Sequence, residues 1–135
     1  IQIRLVGSEM CIRDSFKRDL TSAKESFDEL TDFISRFPES SYVGDAKRRM
    51  VFLRNLIGKQ EIGIAEFYIE RKAYIAAVSR ADYIISNLPN SPVVRKALEI
   101  KVQAYNLMGK KDLEKQAADV LTKFNEASAK EETNS

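Results

Sequence analysis

Side chains able to move protons, hold metals or attack carbonyl carbons are scarce in this sequence. None of its 135 residues is histidine and only one is cysteine. The commonest general base and the commonest zinc ligand are therefore missing, and no internal disulfide or thiolate cluster can form. No Gly-rich phosphate loop or nucleophile elbow is present either. The sequence predicts no enzyme, with no catalytic, cofactor-binding or metal-binding residues. Lys47, Arg48, Arg49, Arg54 and Lys59 are the densest basic group, but at 100° per residue they spread around a helix and form no single stripe. With 22 Lys and Arg against 20 Asp and Glu, there is no strong field of one sign to recruit nucleic acid or lipid. Phe52, Phe67, Tyr68 and Tyr74 have helical spacing, which makes them inter-repeat core before it makes them a peptide groove. What remains is recognition of protein by protein.

The elements that would position such a surface are all helical. Gly and Pro number only five and three, and Ala, Leu, Ile, Lys and Glu set a strong helical bias. Leu20, Ala23, Phe27, Leu30, Phe33, Ile34 and Phe37 form one apolar stripe that ends at Pro38, with Thr21 placed to cap its start. A longer pattern follows, with Ala46, Met50, Leu53, Ile57, Ile64 and Phe67 along one side to about Arg71. Gly58 and Gly63 predict a kink within it. A third helix covers 73–88 with Ala77, Ala81, Ile84 and Leu88 inward. A fourth runs from about Pro92 to Met108 and stops at Gly109, and a fifth covers 112–124. Residues 126–135 are polar and aperiodic, which predicts a disordered tail. No apolar run approaches the ~20 residues of a membrane-spanning helix.

Residues 1–15 have neither period. Gly7 to Ser15 resembles a translated sequencing adapter, so this leader is expected to be non-native or disordered and to contribute nothing to the fold. Cys11 does not read as a lipid-anchor cysteine, because Ser8, Glu9 and Met10 precede it in place of small apolar residues.

The turn Phe37-Pro38-Glu39-Ser40 and its following Ala46 recur as Leu88-Pro89-Asn90-Ser91 and Ala97, an offset of 51 residues. Recurrence of a helix-turn-helix boundary is the mark of a helical solenoid. Counting back from Pro89, the tetratricopeptide (TPR) pattern falls on Glu61, Ile64, Ala65, Tyr68, Ala77, Ala81 and Pro89. Ala65 and Ala77 let paired helices approach, and Tyr68 fills the space between them. Glu61 in place of Trp and Ala81 in place of Phe depart from the pattern. The last pair keeps Leu98, Tyr105 and Gly109, with Glu114 where a small residue is expected. The prediction is an all-α, TPR-like helical-hairpin solenoid of about five helices, one of them long. Its repeat-packing residues are Ala65, Tyr68, Ala77, Ala81, Pro89 and Tyr105.

At a finer level, residues 16–125 resemble the C-terminal repeats of the BamD family, the TPR lipoproteins of the outer-membrane β-barrel assembly machinery. The matching stretches are Phe37-Pro38, Ser40 and Tyr42, then Asp45 to Arg48 and Val51 to Leu53. Beyond these come Ala65 to Tyr68 with Glu70-Arg71, then Ala73-Tyr74, Ala76 and Arg80. The resemblance implies a lipid-anchored scaffold on the periplasmic face of the outer membrane. It also implies docking to the POTRA region of the barrel subunit and to accessory lipoproteins. The signal peptide, the anchor cysteine and the N-terminal repeats would lie outside this chain. On a helical wheel Arg80 borders the inward face of its helix, with Tyr83 and Asn87 on the same side. Together with the resemblance, this makes Arg80, Tyr83 and Asn87 the candidate interface. Two alternatives stay open: Arg80 as an ordinary surface ion-pair partner, and a general TPR adaptor binding peptide tails in a concave groove, which needs several Lys, Arg or Asn converging there.

Overall fold

A computed structural model describes residues 2–135, with side chains described from Asp19 onward. Five helices follow in order: α1 (Gln2–Arg36), α2 (Val43–Glu70), α3 (Tyr74–Asn87), α4 (Val94–Leu107) and α5 (Lys111–Asn134). No strand occurs among the described residues, as the composition predicts. Two compact units divide the chain, Ile1–Gln60 and Glu61–Ser135, and the boundary falls within α2.

In the first unit Leu20, Ala23, Ala46 and Ile57 are buried. Thr21 lies inside α1 and does not cap it, because the helix begins far upstream. The side chains of the predicted leader lie outside the described residues. Phe52 does not join the core: it is 67% exposed, since six residues from Ala46 it points roughly 120° away from the side that Ala46 and Ile57 share. α2 remains one helix through both Gly58 and Gly63, with no break at either.

In the second unit α4 packs against both α3 and α5. Its buried residues accordingly cover a broad arc, Val94, Ala97, Leu98, Ile100 and Ala104, wider than the single stripe of a helix packed on one side. α3 contributes Ala77, Ala81 and Ile84 to the same core. Ala65 and Ala77, the small residues predicted to allow close helix approach, are fully buried, and so is Ala81. Tyr68 and Tyr105 are half-buried, and Pro89 is exposed. Pro89 thus contributes by ending α3, not by packing.

The repeated turn is reproduced bond for bond. In the first unit the Ser40 N–H donates to the Phe37 carbonyl at 3.1 Å and the Val43 N–H to the Ser40 carbonyl at 3.2 Å. In the second, Ser91 and Val94 make the corresponding bonds to Leu88 and Ser91 at 3.0 and 3.2 Å. Each serine hydroxyl accepts from the N–H two residues on, Tyr42 at 3.3 Å and Val93 at 3.4 Å. Serine is therefore required for its oxygen. Because Ser91 organises this turn, α4 starts at Val94 and Pro92 sits in the turn ahead of it.

A second correspondence joins the other ends of the hairpins. α2 closes with Lys72 in the left-handed region at φ 62°, and α4 with Gly109 at φ 73°. The Ala73 N–H donates to the Tyr68 carbonyl and Lys72 to Ile69; likewise Lys110 donates to Tyr105 and Gly109 to Asn106. Both are Schellman closures, and they place Tyr68 and Tyr105 at equivalent positions. Glycine suits one of these closures and a β-carbon strains the other. Lys72→Gly should therefore leave stability unchanged or raise it by up to about 1 kcal/mol, the smaller strain offsetting glycine's greater chain entropy. Gly109→Ala should lower stability by about 1 kcal/mol. Urea denaturation of the two variants checks the pair, and a stabilised Gly109→Ala would contradict it.

α5 continues to Asn134, so the segment predicted to be a disordered tail is helical. Its side chains are almost all exposed. What carries the helix on is propagation through good helix formers such as Ala127, Lys130, Glu131 and Glu132, without tertiary burial. The Ser128 hydroxyl also donates to the Phe124 carbonyl at 3.0 Å.

Gly63 offers a further check on helix energetics. It is exposed within α2, and a β-carbon added there would meet nothing within 4 Å. Gly63→Ala should stabilise the fold by about 0.5–1 kcal/mol and raise the thermal midpoint by roughly 2–5 °C. A lowered midpoint would contradict the open surroundings of that position.

Candidate docking site

The sequence reading singles out one side of α3, and the structure places an ion pair there that the spacing did not disclose. Glu61, on α2, is a carboxylate whose side chain is 0% exposed, yet it occupies the inward position where the TPR pattern expects Trp. Arg80 reaches it from α3. Its Nη1 lies 3.3 Å from Oε2 and 3.5 Å from Oε1 of Glu61. These distances are longer than those of an optimised charge-assisted bond, so the pair's main effect is to keep a buried charge compensated. The Arg80 side chain is 40% exposed, spanning core and solvent as the helical wheel predicts.

Tyr83 is half-buried and Asn87 exposed on the same side of the helix. The Asn87 amide nitrogen donates to the Tyr83 carbonyl at 3.0 Å, which holds that side chain along α3. Arg80, Tyr83 and Asn87 thus form one continuous strip. Within the described residues Arg80 is hydrogen-bonded through Nη1 alone. Its Nε–H and Nη2–H groups form the second edge of the guanidinium, the geometry that grips a carboxylate with two parallel bonds.

Three other basic groups of this unit, Lys101, Lys96 and Arg71, are engaged internally. Lys101 lies 2.8 Å from Asp82, and Lys96 sits 3.8 Å from Glu66 and 3.9 Å from Glu99. Arg71 stacks 4.7 Å above the Phe67 ring. In the first unit Arg49 pairs with Asp45 at 3.3 Å, both well exposed, as expected of a solvated face. Among the described residues no group of His, Cys, Asp and Glu could hold a metal, and no described helix is long and apolar enough to cross a membrane.

Consecutive helices with small residues buried at their contacts, joined by repeated turns, define an all-α, TPR-like helical-hairpin fold. The family profile described as YfiO, outer membrane lipoprotein, matches residues 5–121, a span that begins within the predicted leader. The outer membrane protein assembly factor BamD of Vibrio cholerae serotype O1 is 35% identical over 99 residues, 73% of this chain and 41% of that protein. Its counterpart in Neisseria meningitidis serogroup A is 36% identical over 106 residues, covering 78% and 40%. That of Xylella fastidiosa strain Temecula1 is 32% identical over 108 residues, covering 80% and 37%. The chain belongs to this YfiO/BamD family of outer membrane lipoproteins, and it spans about two fifths of the length of these relatives.

Proposed function

We propose that this chain is a docking module of the outer-membrane β-barrel assembly machinery, working as a non-enzymatic scaffold on the periplasmic face of the outer membrane within a lipid-anchored protein. On this reading the strip Arg80, Tyr83 and Asn87 binds the POTRA region of the barrel subunit, and accessory lipoproteins bind elsewhere on the repeats. The observation that carries it is the half-exposed Arg80, with a guanidinium edge available beside a tyrosine. Arg and Tyr are enriched where binding energy concentrates, and the relatives bear the name of assembly factors. The adaptor alternative, which needs basic side chains converging in a groove, is weakened because Lys96 and Lys101 are already paired with acids.

The test is equilibrium binding of the full chain to the isolated POTRA region. Replacing both members of the ion pair, Glu61→Gln with Arg80→Gln, removes the arginine without stranding a buried charge. Circular dichroism checks that this variant folds. Affinity should fall more than tenfold, about 1.4 kcal/mol. Binding within twofold of the unsubstituted chain would remove Arg80 from the site.

A further inference from the structure

The two Schellman closures come together at one end of the second unit, where a shallow depression is lined by Lys72, Ala73, Tyr74, Ile75 and Ala76 from the first and by Met108 beside the second. Lys72, Lys110 and Lys111 are exposed there. Among the described residues their side chains have neither a hydrogen bond nor an ion pair. Three apolar residues stand at the same helix ends: Ile75, the second residue of α3, is 75% exposed, Leu107, the last of α4, 49%, and Leu113, the third of α5, 37%. We infer that this end of the second unit is a contact surface for anionic phospholipid, the lysines meeting headgroup phosphates while Ile75, Leu107 and Leu113 enter the boundary between headgroups and acyl chains. This rests on the placement at a membrane surface proposed above. It is a contact separate from the docking strip, since Ile75 lies about 140° around α3 from Arg80.

Lys72 holds the left-handed conformation, φ 62°, that glycine fills in the equivalent closure at Gly109. A β-carbon strains that position, so the lysine stands there against local preference, and strain kept at one site points to a use for the side chain. Flexible ammonium groups beside exposed apolar residues suit a diffuse layer of phosphates, whereas a peptide carboxylate is gripped by planar or converging donors. Long lysine stems leave the charge among the headgroups while the apolar tips go deeper. Arg71 and Lys115 add positive charge to this end, and Glu70, Asp112 and Glu114 subtract from it, Glu114 already accepting a bond from Asn106 at 2.9 Å. The charge balance of the whole chain thus gives no long-range field, yet this end stays locally positive. Such a patch grips a surface weakly by itself, but a protein tethered there by lipid meets that surface at high effective concentration. The family is one of outer membrane lipoproteins, which supplies the tether on this reading.

Vesicle flotation of the full chain tests it. The chain should float with vesicles of phosphatidylethanolamine containing about one quarter phosphatidylglycerol and not with phosphatidylcholine alone. Raising the salt to about 1 M, where the screening length is about 3 Å, should release it. The triple variant Lys72→Gly, Lys110→Gln, Lys111→Gln should lower partitioning about tenfold or more, and Ile75→Ala about threefold. All four side chains are exposed, and circular dichroism checks that both variants fold. In the unsubstituted chain, amide exchange over residues 72–76 and 107–113 should slow when anionic vesicles are added. Absence of flotation, equal flotation with phosphatidylcholine, or partitioning of the triple variant within twofold of the unsubstituted chain would overturn the inference. So would a triple variant that loses affinity for the POTRA region while its flotation is unchanged, since the lysines would then serve a protein partner. The docking reading fails separately, if the Glu61→Gln, Arg80→Gln double variant binds the POTRA region like the unsubstituted chain.

Discussion

Arg80→Glu is expected to destabilise the protein by about 3–5 kcal/mol, the range for breaking a buried ion pair by removing one partner. The reason is the environment of Glu61, whose side chain has no solvent contact and faces Nη1 of Arg80 at 3.3 Å. Removing the guanidinium takes away a charge that compensates this carboxylate, and inserting a second carboxylate adds repulsion between like charges beside a buried acid. Arg80→Ala, which removes the compensating charge without adding a like one, should cost less, about 2–3 kcal/mol, because the arginine is partly exposed and its contribution is screened. The Glu61→Gln, Arg80→Gln double variant should be closest to the unsubstituted protein. Midpoints of urea denaturation at constant slope measure this order. A cost below about 1 kcal/mol for Arg80→Glu would mean that the charge of Glu61 is compensated without Arg80. A charge reversal at Arg80 therefore tests binding poorly by itself, since a loss of affinity could follow from a loss of fold.

Ile84→Ala should cost about 3–4 kcal/mol. Ile84 is 0% exposed, and truncating a core isoleucine loses its transfer free energy and leaves a cavity that close-packed neighbours only partly fill. The thermal midpoint should drop by roughly 10 °C or more. Ile75 on the same helix is 75% exposed, so Ile75→Ala should change stability by no more than about 0.5 kcal/mol. The two substitutions are chemically identical and differ only in which side of α3 they occupy. Equal effects would contradict the rotation of α3 about its axis, and with it the placement of Arg80, Tyr83 and Asn87.

That rotation was legible in the sequence, because Ala77, Ala81, Ile84 and Leu88 recur at helical spacing and because Pro38 and Pro89 fix the same turn twice. Small residues at Ala65 and Ala77 similarly announced close helix contacts. Glu61 was legible only as a departure from a pattern. Its partner lies 19 residues away on another helix, and periodicity within one helix carries no information about which residue faces which across a contact. An acid at an inward position should nevertheless prompt a search for a basic residue bordering the facing stripe, and Arg80 is such a residue. The length of α5 was missed for a different reason. Apolar periodicity reports burial, and the last turns of α5 bury almost nothing, so only the helix propensity of its residues pointed there. Phe52 shares residue type with the other aromatic residues but not their side of the helix, since its angle to Ala46 and Ile57 turns it outward.

The central claim, that the Arg80 side of α3 is where this scaffold docks, is tested most directly by site-specific photocrosslinking. A photoreactive residue at Asn87, exposed beside Arg80 and Tyr83, should label the POTRA region on irradiation of the mixed proteins, whereas one at the exposed Gln116 on α5 should label it weakly or not at all. Labelling from Gln116 with none from Asn87, or from neither position while the proteins still bind, would contradict the account.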